Sequence, residues 1–133
     1  MPEVLGIDHV AMTVADLEAT CAFFDRLFGA RVHVEQVSEG RVLLRQILVG
    51  GALLSIHQAG NGAELVAQRP TVGSVDLCLR WSDDAQSAAD HLRAKGVEVI
   101  AGPSPRRTAD GMRAQSVYFR DPDQNLMELI CVE

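Results

Sequence analysis

Gly6-Ile-Asp-His-Val-Ala-Met-Thr-Val-Ala-Asp16 is the stretch on which the reading of this chain turns. It has the form of a short apolar strand running into a helix, with Asp16 placed to cap that helix. One histidine, His9, interrupts the apolar run. The same outline returns as Gly73-Ser-Val-Asp-Leu-Cys-Leu-Arg-Trp-Ser-Asp83. Gly6 and Gly73, Asp16 and Asp83, and Gly29 and Gly96 each stand 67 residues apart, as do Ala22 and Ala89, and Arg26 and Arg93. Apolar positions keep step: Val10 with Leu77, Met12 with Leu79, Val14 with Trp81. A fixed offset of this kind is the mark of an internal repeat, which has to be recognised before any fold is assigned. On this offset His9 falls opposite Asp76.

Working outward, residues 4–14 are expected to form the first strand. Leu17, Cys21, Phe24 and Phe28 then give a helix an apolar stripe, and Gly29 supplies its left-handed end. Strands follow over 30–37, 42–48 and 52–57, separated by Ser38-Glu39-Gly40 and Gly50-Gly51. Module one spans 4–58. Residues 59–71 lack periodicity and contain Gly60, Asn61, Gly62 and Pro70, so they read as a linker. Module two spans 72–133. It has a strand over 74–81, a helix capped by Ser82 and carrying Ala85, Ala89 and Leu92, and a short strand over 97–101. A long polar loop over 102–113 follows. The last two strands, 114–119 and 126–132, flank the turn Asp121-Pro-Asp-Gln-Asn125, whose Asp and Asn can bond their own backbone. The fold class is α+β: two βαβββ modules in one domain.

Composition narrows the partners. In 133 residues, 47% are hydrophobic and 23% charged, as in ordinary globular proteins. The net charge of −6 argues against a nucleic-acid surface, whose footprint is basic. No apolar run reaches the ~20 residues that span a bilayer, and the N-terminus lacks the pattern of a signal peptide. Neither a membrane nor a nucleic-acid partner is expected. Cys21, Cys78 and Cys131 are an odd number without metal-type spacing, which fits reduced thiols in the cytoplasm.

The two modules, with His9 in the first strand and Phe119-Arg-Asp-Pro-Asp-Gln-Asn-Leu-Met-Glu-Leu129 near the end, resemble the vicinal oxygen chelate superfamily. This is the fold of glyoxalase I, extradiol dioxygenases, methylmalonyl-CoA epimerase, and the fosfomycin and bleomycin resistance proteins. Ile56-His-Gln58, Gly73-Ser-Val-Asp-Leu-Cys78 and Ser116-Val-Tyr-Phe-Arg-Asp-Pro-Asp123 are most similar to small glyoxalase-domain proteins, virulence-associated members among them. The resemblance covers essentially the whole chain. It implies paired half-barrels around a cleft, commonly in a homodimer, with metal ligands on the first and last strands of the modules.

By position the resemblance makes His9 the first-strand ligand and Glu128 the last-strand ligand. Where the usual pattern has a second histidine, this chain has Asp76. The strand-four position falls at Ser55 or His57, which share one face. His9, His57, Asp76 and Glu128 would offer two imidazoles and two carboxylates, a mix suited to zinc, nickel, manganese or ferrous iron.

Each residue also has a structural reading. His9 would be a satisfied strand histidine, His57 a solvated edge residue, and Asp76 an ion-pair partner of Arg80 on the same face. Asp76 is open as ligand, general base or structural partner, and Glu128 as ligand or proton carrier. Arg106, Arg107 and Arg113 would bind an anionic substrate or be solvated loop residues. Cys78 reads as core rather than as a nucleophile. The implied function is a metal-dependent lyase or isomerase acting on a small oxygen-rich metabolite. A ring-cleaving dioxygenase and a non-catalytic, ligand-sequestering protein of the bleomycin-resistance type are the alternatives.

Overall fold

Asp16 ends the first strand and starts the first helix: its backbone is extended and its side chain accepts from Ala19 N–H at 3.1 Å. The computed structural model describes Met1–Glu133. It divides into two compact units, Met1–Val72 and Gly73–Glu133.

The first unit contains β1 (His9–Val14), α1 (Leu17–Phe28), β2 (Arg31–Ser38), β3 (Arg41–Val49) and β4 (Ala52–Gln58), in a sheet of order β1-β4-β3-β2. The second contains β5 (Asp76–Trp81), α2 (Ala85–Ala94), β6 (Ala101–Arg107), β7 (Arg113–Arg120) and β8 (Leu126–Val132), in the order β5-β8-β7-β6. The expected βαβββ pattern is present in both. In each sheet the first strand pairs parallel with the last, and the other pairs are antiparallel.

Each helix lies on one face of its own sheet. Val14, Leu17, Phe24, Leu27, Ile47 and Ile56 form a buried core in the first unit, and Leu92, Val117, Phe119, Met127 and Leu129 in the second. Each fully buried side chain of this size contributes ~1.5–3 kcal/mol relative to exposure. Gly29 takes φ +65° and its N–H bonds back to the Asp25 carbonyl, which closes α1 as the sequence predicts.

Besides shifts of one or two residues, such as the start of β5 at Asp76 rather than residue 74, three differences from expectation stand out. β1 starts at His9 rather than residue 4, because its only partner, β4, begins at Ala52 and leaves residues upstream of His9 with nothing to pair with. α2 is capped by Asp84, not Ser82: the Asp84 side chain accepts from Ser87 N–H at 2.8 Å. The predicted strand over 97–101 and loop over 102–113 are replaced by β6, which holds Pro103, Pro105, Arg106 and Arg107. Proline cannot donate to a ladder and belongs on an edge strand, which is where β6 lies.

The 121–125 turn is a buried polar knot. Asp121 Oδ1 accepts from Asp123 and Asn125 N–H, and Asp121 Oδ2 accepts from Asn125 Nδ2 at 2.8 Å. Asn125 Oδ1 in turn accepts from Val75 N–H at 2.8 Å, stitching the start of β5 to the start of β8. Both side chains are buried. Asn125→Ala strands a buried carboxylate oxygen and a backbone N–H. We expect a loss of about 3 kcal/mol in a denaturant titration, each orphaned group costing ~1–3 kcal/mol.

Candidate functional site

The first unit places His9 and His57 on the sheet face away from α1. The register pairs His9 with Leu53, Ala11 with Ser55 and Thr13 with His57, while Met12 and Ile56 face the helix. His9 Nδ1 lies 2.8 Å from Asp8 Oδ1, and this bond leaves Nε2 free. Metal-bound histidines have this arrangement: the second ring nitrogen donates to a carboxylate, which sets tautomer and orientation. His57 stands four residues further along the sheet. Burial, and then the charge of His9, hold its imidazole below the usual range. Asn61 Nδ2 lies 3.4 Å from His57 Nδ1.

The second unit places Asp76, Cys78 and Arg80 of β5 on the face away from α2, together with Glu128 of β8 and Ser116 and Tyr118 of β7. Cys78 is opposite Glu128 in the register. Ser116 Oγ donates to Glu128 Oε2 at 2.5 Å. The Cys78 thiol is pushed up to about 11, first by desolvation and then by the charge of Glu128 and a hydrogen bond to it. A protonated thiol is a poor nucleophile. Cys78 is nonetheless exposed and not a core residue, whereas Cys21 and Cys131 are buried.

The Asp76–Arg80 pair does not form. Arg80 donates instead to Asp110 at 3.0 Å, and Thr108 also bonds Asp110. The three arginines lie on strands β6 and β7, and they do not share a face. Arg106 alternates with Arg107, and Arg107 pairs with Arg113. Arg106 shares the Glu128 face, where its Nε donates to Tyr118 Oη at 2.8 Å and its guanidinium lies 5.5 Å from the centre of that ring. Arg113 lies 3.7 Å from Glu133.

The repeat and the registers together identify equivalent positions. Ala11 corresponds to Cys78 on the 67-residue offset, so Ser55, opposite Ala11, is the counterpart of Glu128, opposite Cys78. Of the two strand-four candidates, Ser55 occupies that position and His57 lies beyond it. Within either unit no group of three His, Cys, Asp or Glu side chains gathers into one donor cluster. The chemistry of His9 and Glu128, imidazole and carboxylate, is that of divalent-metal ligands; Asp8 engages one ring nitrogen of His9, and Ser116 one oxygen of Glu128. Ser116, Tyr118 and Asn61 acquire their roles from cross-strand or loop contacts that no local spacing displays. Asp8 was visible beside His9 in the quoted stretch. No helix is long and apolar enough to cross a membrane.

Known proteins share this fold. Residues 6–129 match the sequence model of the Glyoxalase/Bleomycin resistance protein/Dioxygenase superfamily. The chain is 37% identical to the glyoxalase domain-containing protein RDO1 of Mycosarcoma maydis over 95% of this chain and 68% of that one. It is 31% identical to virulence protein STM3117 of Salmonella typhimurium over 92% and 81% of the two chains. The crystal structure of STM3117 superimposes with a TM-score of 0.84, covering 99% of this chain and 100% of that one. A fosfomycin resistance protein, FosX of Listeria monocytogenes, solved with Mn(II) and a dihydroxypropylphosphonic acid, gives a TM-score of 0.64 at 25% identity over 96% and 90% of the two chains. Superfamily members thus include metal-binding proteins that take small molecules. With a family match running nearly end to end over two βαβββ units, this chain belongs to the Glyoxalase/Bleomycin resistance protein/Dioxygenase superfamily.

Proposed function

We propose that the protein is a divalent-metal-dependent lyase or isomerase acting on a small oxygen-rich metabolite, working as a cytoplasmic homodimer. The observation that carries the reading is the Asp8–His9 bond, which engages Nδ1 and leaves Nε2 as the ring's ligand atom. His9 and Glu128 are the principal ligands and Asp76 the third candidate, with zinc, nickel, manganese and iron as the ions this donor set suits. Once bound, the ion would supply Lewis acidity toward vicinal oxygens of the substrate.

The remaining chemistry belongs to the chain. Glu128, with Oε2 held by Ser116, keeps Oε1 in one orientation. Asp76 is exposed and not engaged by Arg80, which supports it as the base that would take a proton from the substrate carbon and return it. Arg106, fixed by Tyr118, is the arginine that shares this face and is the group for an anionic substituent. A second reading, ligand sequestration without turnover, is favoured by one observation: Asp76 replaces the second histidine of the family pattern.

The test is elemental analysis of tag-free protein, before and after loading with zinc, nickel, manganese and iron. One ion per chain, and metal-dependent exchange of carbon-bound protons in candidate hydroxy-carbonyl compounds, are expected. Oxygen uptake confined to the iron form would redirect the assignment to a dioxygenase. Failure to hold any ion, with tight ligand binding by metal-free protein, would overturn the enzyme reading in favour of sequestration.

A further inference from the structure

The cavity beside His57 lies within the first unit and is independent of Glu128. It has a volume of about 160 Å³ and is lined by Thr13, His57, Asn61, Gly62, Val66 and Pro70, among others. Its walls come from the end of β4 and the segment that follows, a stretch without helix or strand.

Asn61 is the organising residue. Its Oδ1 accepts from Ala63 N–H at 2.9 Å, and its Nδ2 donates to the Leu43 carbonyl at 3.0 Å. These two backbone partners determine which end of the amide is nitrogen, since only Nδ2 can donate and only Oδ1 can accept. The atom facing His57 Nδ1 is therefore a donor. Nδ1 must accept, so the ring proton resides on Nε2. Burial, and then the charge of His9, add to the preference for the neutral ring.

The register separates this ring from His9. His57 pairs with Thr13, four residues beyond His9 on β1, which at ~3.3 Å per residue is about 13 Å along the strand. Ligand nitrogens on one ion lie ~2.1 Å from it, a poor match to two residues whose backbone positions are so far apart. No Asp, Glu, Lys or Arg lines the cavity. Its donors are suited to an uncharged oxygen acceptor.

We propose that His57, oriented by Asn61, forms a substrate-oxygen subsite: a neutral imidazole whose Nε2–H donates to a carbonyl or hydroxyl oxygen, and which is not a ligand of the metal. This deepens the functional reading above and rests on it for the substrate's place. The tautomer stands on the hydrogen bonds alone.

Long-range ¹H–¹⁵N spectra of the imidazoles test it, first on metal-free protein. His57 is expected as the Nε2–H tautomer, and Asn61→Asp, which replaces the donor with an acceptor, should move the proton to Nδ1. An Nδ1–H tautomer in the wild type, or no change in the variant, would overturn the proposal. Zinc is then added: His9 resonances should shift and those of His57 should not, whereas loss of the His57 Nε2 proton to zinc would refute the assignment. If zinc moves neither ring, the metal reading falls while the tautomer result still decides for His57. Finally, hydroxyacetone, a small uncharged hydroxy-carbonyl probe, should shift the His57 Nε2 signal saturably. A flat response would remove the subsite.

Discussion

Gly102→Ala should cost about 4 kcal/mol, the largest stability loss expected of any single methyl addition in this protein. Gly102 has φ +93°, a conformation that side chains rarely adopt, and a Cβ there would lie 2.3 Å from the Ser116 carbonyl oxygen and 3.0 Å from Val117 Cα. Backbone strain contributes ~1–3 kcal/mol, and the overlap ~1–3 kcal/mol more. No relief is at hand, because the obstructing atoms are backbone of β7, which pairs on both sides in the β5-β8-β7-β6 sheet. Gly102 sits inside the register shift between Ala101 and Ser104, where β6 bends toward β7. Chemical denaturation should show a lower midpoint with the same slope. Gly51→Ala is the control: it meets nothing within 4 Å and needs no positive φ, so its midpoint should hold. An unchanged Gly102→Ala midpoint would mean that β6 does not approach β7 as described.

The second large effect is on metal affinity. His9→Ala and Glu128→Ala are each expected to weaken binding by at least ~100-fold, since loss of an outer-shell partner alone costs ~10–100-fold. Ser116→Ala is the graded companion. It removes the hydrogen bond to Glu128 Oε2 but leaves the carboxylate, so a loss of ~10-fold is expected, and Ser116→Thr should restore it. Titration calorimetry with zinc and manganese, alongside circular dichroism to confirm folding, separates these outcomes. Full stoichiometry and unchanged affinity in both His9→Ala and Glu128→Ala would dismiss these two residues as ligands.

The βαβββ order of each unit was legible because the repeat doubles every cue. Asp16 and Gly29 mark the ends of α1, and Gly29 recurs as Gly96. Edge strands were harder to see. β6 contains two prolines and two arginines, and its residues are mostly exposed, so it lacks the alternation that betrays a half-buried strand. What looked like a basic loop is a strand whose pleat sends Arg106 one way and Arg107 and Arg113 the other.

The candidate site was legible in part for a related reason. His9 and Glu128 announce themselves as polar interruptions of apolar strands. The carboxylate–hydroxyl contact of Glu128 with Ser116, and the choice of Ser55 over His57 as the counterpart of Glu128, depend on cross-strand register. Register is set by bulges and turns that local patterning does not encode. Likewise Asp76 was the partner the sequence suggested for Arg80, and only the fold shows that Arg80 reaches Asp110 instead.

Ser55 and Glu128 occupy one position written twice. A chain that repeats itself holds a spare of every functional place, and selection can change one copy while the other keeps the protein working. Here the copies have diverged in chemical kind: the first strand carries imidazole in one unit and carboxylate in the other, and the last carries hydroxyl in one and carboxylate in the other. Ion preference and substrate preference can therefore drift by substitutions in a single unit without disturbing the packing of its twin. This is a plain structural reason why one architecture accommodates so many different activities.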